Sequence, residues 1–183
     1  MKRLALFAAA LLAFGTAPAL AQQAQCFQNE QFLVVGKDKT DEVGSTFLIR
    51  APVKGKIACE YSERAGDMMI GGVDDPLHFE GLAGRYLVLF RSTGPDGDVV
   101  IYDLENLDPM TPYIDIAADD ELTITDSAVT YWARKQAGTA ENCPQFAEAE
   151  SMGMGTVIAD EVILDVASGD VAATGQSRCS TTQ

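Results

Sequence analysis

An all-β fold is predicted by three observations. Apolar runs of strand length recur along the chain, they are rich in β-branched and aromatic residues, and clusters of Gly, Pro and Asp separate them at roughly ten-residue intervals. The runs fall at 32–35, 46–49, 57–61, 86–90, 99–104, 113–116, 122–125, 129–132 and 162–166. The clearest hairpin spans 85–104, where Gly94-Pro95-Asp96-Gly97 supplies a fixed φ and then a glycine able to take positive φ. The run 86–90 is apolar at every position, which predicts a central strand covered on both faces.

One short helix is expected near 142–152. Asn142 can cap it, Pro144 sits in the first turn where its missing N–H costs nothing, and Gly153 can end it. Between them, Gln145 to Glu150 show neither alternation nor turn residues.

A faint repeat organises the strands. Phe47-Leu48-Ile49-Arg50, Val88-Leu89-Phe90-Arg91 and Tyr131-Trp132-Ala133-Arg134 each end an apolar run with arginine, 41 and then 43 residues apart. Each precedes a run with a carboxylate among apolar residues: Ala58-Cys59-Glu60-Tyr61, Ile101-Tyr102-Asp103-Leu104 and Ile163-Leu164-Asp165-Val166. This period is that of a propeller blade, although three units are too few to close a ring. The expected architecture is therefore a set of about three blade-like antiparallel units; the alternative is an antiparallel β-sandwich.

Residues 1–21 read as a cleaved export signal. Lys2 and Arg3 precede an apolar core over 4–14, and Ala19-Leu20-Ala21 gives the small-x-small pattern before Gln22. That core is about half the roughly 20 residues of a spanning helix, and the lone Lys2-Arg3 pair favours the general secretory route. A single β-rich domain over 22–183, not embedded in a membrane and located in the periplasm or outside the cell, is the expected product. Loss of Lys2 and Arg3 with no acid deepens the net charge from −14 to −16. So acidic a surface argues against nucleic acid, whose binding needs clustered Lys and Arg.

Cys26, Cys59, Cys143 and Cys179 read as two disulfides in an oxidising compartment. The nearest two are 33 residues apart, which lacks the paired spacing of a thiolate metal site. If the units fold locally, Cys26 pairs with Cys59 and Cys143 with Cys179; Cys26 with Cys179 and Cys59 with Cys143 is the alternative.

Signals for chemistry are sparse. His78 is the only histidine, no G-x-S-x-G elbow is present, and the segment Pro76 to Glu80 reads as a short strand. The 27 acids offer no pair selected by spacing, and Asp74-Asp75, Asp96-Gly97-Asp98, the cluster from Asp103 to Asp108, and Asp119-Asp120-Glu121 read as turn or strand-end residues. Calcium is the one ion that Asp96, Asp98 and the 119–121 acids suggest, but neither segment fits an EF-hand loop, so no cofactor is expected. Met68-Met69 and Met152-Gly153-Met154 read as core fillers before copper ligands. Tyr131 and Trp132 point to opposite faces of one strand, leaving one as a candidate exposed aromatic for sugar or peptide.

The sequence thus leans away from an enzyme. It predicts a non-enzymatic binding or assembly module of the cell envelope, with an envelope protein or glycan as partner. The alternative is a hydrolase of an envelope polymer that uses an unidentified carboxylate pair.

Overall fold

Alternation of apolar and polar residues sets which strands pair and which face each buries. The computed structural model describes residues 24–183 except 95, 107, 109 and 110, so the export signal expected at 1–21 lies outside the described residues, as does Pro95 of the expected hairpin turn. Among the described residues two antiparallel sheets form. The smaller contains β1 (Gln25–Gln28), β2 (Leu33–Asp38), β3 (Ser45–Arg50) and β4 (Met68–Ile70), in that order. The larger is a seven-stranded meander of β5 (Leu77–Ala83), β6 (Tyr86–Arg91), β7 (Gly97–Asp103), β8 (Ile114–Ile124), β9 (Ala128–Ala137), β10 (Gly155–Asp165) and β11 (Val171–Thr182). A single short helix, α1 (Phe146–Ser151), interrupts the β9–β10 connection.

Two cores meet at β6 and β7. Leu87, Leu89, Val100 and Tyr102 face the small sheet and pack with Val34, Phe47, Ile49 and Ile70. Tyr86, Val88, Phe90, Val99 and Ile101 face the other way and pack with Val129, Tyr131, Val162 and Leu164 across the curl of the large sheet. The central-strand expectation for 86–90 therefore holds, with both faces buried. The curl brings β5 back against β8: a Cβ on Gly81 would stand 2.7 Å from Cδ1 of Ile124, so any larger residue there would have to displace that side chain.

The all-β expectation holds, and two packed sheets are compatible with the sandwich alternative. The second and third units share the large sheet, which does not confirm the blade-like reading. The first unit loses its return strand: 57–61 is a loop. Its backbone closes local turns instead of a ladder, with Glu60 N–H donating to the Ala58 carbonyl (3.0 Å) and Ser62 N–H to that of Glu60 (3.1 Å). Ile57 and Tyr61 lie against Leu33, Val35 and Leu48, roofing the outer face of the small sheet. The Cys26–Cys59 disulfide, with Cα atoms 5.7 Å apart, and the Arg50–Asp67 ion pair at 2.8 Å hold that roof down.

Other boundaries moved for local reasons. The runs 113–116 and 122–125 merge into one strand, β8, apart from Tyr113 and Thr125 at their outer ends, and Asp119-Asp120-Glu121 sits inside it rather than in a turn. A register shift against β9 between Ala118 and Leu122 marks a bulge there. The helix starts at Phe146 instead of Asn142, and its N-cap residue Gln145 makes no side-chain capping bond. Asn142 closes the preceding turn instead, where its Oδ1 accepts from Thr139 N–H at 2.6 Å. Next to it, Cys143 is joined to Cys179 of β11, with Cα atoms 5.4 Å apart. Each disulfide closes a loop whose loss of unfolded-state entropy is about 3–4 kcal/mol in the chain-entropy model.

Candidate functional site

The outer end of the large sheet, from β8 to β11, carries a polar network centred on Asp119. The β8 bulge turns this side chain back over the sheet, where the residue is 4% exposed. Its carboxylate accepts from Ser180 Oγ (2.6 Å), from Arg178 Nη2 and Nε (2.7 and 3.1 Å) and from Arg134 Nε (3.0 Å). One acid of β8 thus ties β9 to β11, passing over β10 at Ala159, which lies opposite both arginines and is fully buried. Burial pushes the Asp119 carboxyl up, but the hydrogen bonds from Ser180, Arg178 and Arg134 outweigh it and hold the group below its ordinary value.

The arginines reach further acids. Arg134 pairs with Asp96 at 2.8 Å, and Arg178 binds Glu121 while its guanidinium carbon lies 4.2 Å from the centre of the Trp132 ring. Beside them is an open, polar depression of about 470 Å³, bordered by Asp96, Asp120, Gln145 and the residues 179–183.

Further along β11, the side chains of Thr174 and Gln176 donate to Oε2 of Glu161 at 2.7 and 3.0 Å, and Ser177 donates to Asp160. β11 is therefore fixed by a ladder of polar contacts and by the Cys143–Cys179 bond. A register shift between Asp160 and Val162, with Gly175 at φ +86°, forms a bulge that splits β11 into 171–173 and 177–182. On its other side β11 has no strand neighbour among the described residues.

The sequence-derived candidates distribute unevenly. Tyr131 is 2% exposed and belongs to the core, where burial pushes its hydroxyl up to about 12; it is no surface aromatic. Trp132 is the partly exposed member of the pair, on the outer face beneath Arg178. Of the acids suggested for calcium, Asp96, Asp98, Asp119 and Glu121 each face a guanidinium. Met68 packs on the core between the sheets, whereas Met69 and Met152 are exposed.

What the sequence reading missed is the partner set of the strand-ending arginines. Arg50 holds Asp67, Arg91 holds Asp75 (2.7 Å) and Asp115 (2.6 Å), and Arg134 holds Asp96 and Asp119. The recurrence of arginine after each apolar run was the available signal, since a cation leaving a buried strand needs carboxylates beside it.

A second hollow, of about 300 Å³, is lined by His78, Glu80, Ser92 and Asp120. Nε2 of His78 lies 3.1 Å from the Ser92 carbonyl oxygen, and Glu80 stands at a bulge of β5 between Phe79 and Gly81. Burial pushes the Glu80 carboxyl up, His78 opposes this and Asp120 adds to it, although Glu80 stays exposed and solvent screens these effects.

Comparison with known protein families, with curated proteins and with solved structures finds no match for this chain. No helix among the described residues is long and apolar enough to cross a membrane. The two disulfides fit an oxidising, exported compartment.

Proposed function

We propose that this protein is a non-enzymatic binding or assembly module of the cell envelope, exported by its leader at 1–21, that docks an extended segment of an envelope protein along β11. The observation carrying the reading is the edge of β11 itself. The strand is twelve residues long, contains neither Pro nor Lys, and pairs only with β10 among the described residues. Natural sheets guard such edges with prolines, lysines, bulges or covering loops, because an unpaired row of N–H and C=O groups recruits another strand. Here the bulge at 174–176 breaks the row once, and the run 177–182 stays continuous. Strand addition gives affinity through main-chain hydrogen bonds without a deep pocket.

The test is site-specific photo-crosslinking in the native envelope. A photoreactive residue at Thr181 is expected to give a discrete adduct, while one at Lys54, exposed in the loop that roofs the small sheet, gives none. Equal labelling from both positions removes the reading.

A second reading, hydrolysis of an envelope polymer, rests on Glu80, Asp120 and His78 around one hollow. Two carboxyls facing one hollow, with an imidazole beside them, is the kind of arrangement that acid–base cleavage of a glycosidic bond needs. The mature protein would then degrade isolated envelope glycan and Glu80→Gln would abolish it; no release by the wild-type protein sinks this reading.

A further inference from the structure

We infer that the segment docking on β11 is cationic: an extended peptide with basic side chains on both of its faces. This inference rests on the strand-docking reading above and adds the chemistry of the partner. The argument begins with which carboxylates near β11 already have a counter-charge. Asp96, Asp119 and Glu121 are each met by Arg134 or Arg178. Asp160 and Glu161 are not: the donors on them are Ser177 for Asp160, and Thr174 and Gln176 for Glu161, all neutral. No ion pair reaches either acid among the described residues, and both are partly exposed.

Their placement is specific to the edge. Asp160 and Glu161 are consecutive on β10, the neighbour of β11, and so point to opposite faces of the sheet. Glu161 pairs with Trp132 on the outer face, and Asp160 pairs with Ala133, whose side chain belongs to the opposite, core face. The β11 side chains that hydrogen-bond them hold both carboxylates on the β11 side of β10. A strand added to β11 runs about 10 Å from β10, two strand spacings away, and alternates its own side chains between the same two faces. Two adjacent basic residues on that strand would lean over β11, one toward each acid. Arg178 already reaches across neighbouring strands in this way, from β11 to Asp119 at the bulge of β8.

Charge over longer range points the same way. The chain carries 27 acids against 13 Lys and Arg, whereas β11 contains no acid and a single arginine, already committed to Asp119 and Glu121. An approaching cationic segment is drawn in by the whole surface, and the charge of Arg178 on the docking strand is offset by Asp119 and Glu121. A second copy of this acidic chain would meet the opposite field.

The experiment uses the mature protein and three ten-residue β-forming peptides that differ only at two adjacent central positions, Lys-Lys, Gln-Gln or Glu-Glu, with binding read by fluorescence anisotropy. The Lys-Lys peptide is expected to bind about tenfold tighter than the Gln-Gln peptide at low salt, the effect of two partly exposed ion pairs. Its advantage should fall as salt is raised. N-methylation along one edge of the peptide should abolish binding. In Asp160→Asn/Glu161→Gln, whose amides keep an acceptor for Ser177, Thr174 and Gln176, the Lys-Lys and Gln-Gln peptides should bind alike, with the melting transition confirming an intact fold. If the wild-type protein binds the Lys-Lys and Gln-Gln peptides equally, the cationic partner is overturned and strand docking survives. If no peptide binds, both fall. If the protein self-associates through β11 and excludes the peptides, the occupant is a second copy and the inference is overturned.

Discussion

β6 and β11 lie in the same sheet and are held there by opposite means. β6 is buried on both faces and contributes aliphatic and aromatic side chains to two cores, whereas β11 is exposed over residues 171–177 and bonds to the sheet through Thr174, Gln176, Ser177, Arg178 and Ser180. Apolar burial scales with area and is indifferent to direction. A polar ladder depends on particular partners, is weakened by screening and can be undone one group at a time. One sheet can therefore have an anchored centre and a conditional rim.

The largest effect should come from the anchored side. Leu89→Ala removes a fully buried side chain between the two sheets and is expected to cost about 2–5 kcal/mol in denaturant unfolding. A loss under 1 kcal/mol would mean that the interface between the sheets is not the main core.

On the rim, Asp119→Asn should cost about 2 kcal/mol, because two arginines lose their shared charge while an amide keeps some of the hydrogen bonding. The variant's signature is local: amides of 177–182 should exchange with solvent faster while those of 86–91 stay protected. Uniform loss of protection across both strands would contradict the division.

Acid should do to the rim what the substitution does. Asp119 titrates below its ordinary 3.8, so its contribution is fully present above that value and is lost as pH falls through the lower folded-state value. Amides of β11 in the wild-type protein should therefore lose protection below about pH 4 ahead of β6, a difference that Asp119→Asn removes. Because the rim opens first, the effect on global stability at pH 4 is about 1 kcal/mol or less.

The smallest effect is expected from Thr174→Val. It deletes the exposed contacts of the Thr174 hydroxyl with Glu161 and the long one it accepts from Gln176 N–H, and the change should stay within about 0.5 kcal/mol. A larger loss would show that the bulge at 174–176 depends on these contacts.

The same contrast decides what was legible in the sequence. β6 and β7 announce themselves because apolar burial leaves a run of hydrophobic residues with no partner needed to recognise it. β11 was not recognised: its sequence, VAATGQSRCSTT, resembles a polar connection, and the group that fixes it, Asp119, lies 59 residues from Arg178. Asp119-Asp120-Glu121 resembled a turn for the same reason, since a charged triplet inside a strand makes sense only once Arg134 and Arg178 flank it. The opposite error occurred at 57–61, where Ile57 and Tyr61 supply apolar area as a loop that roofs β2 and β3. Apolar content there reported burial correctly and backbone pairing incorrectly. Of the candidate site, the cysteines and Trp132 were visible as residue types, whereas Asp160 and Glu161 acquired meaning only from their place beside an unpaired edge.

The Cys143–Cys179 bond also gives the rim a mechanical character. A pull applied at Gln183 could peel only Ser180, Thr181 and Thr182 from β10 before the load reached a covalent link. From there the tension passes into the 138–145 connection and on to β9, inside the sheet, instead of unzipping β11 rung by rung. A strand that is thermodynamically conditional thus becomes a strong tether in one direction of loading, while its Val171 end is joined to β10 by the 165–170 turn without a disulfide.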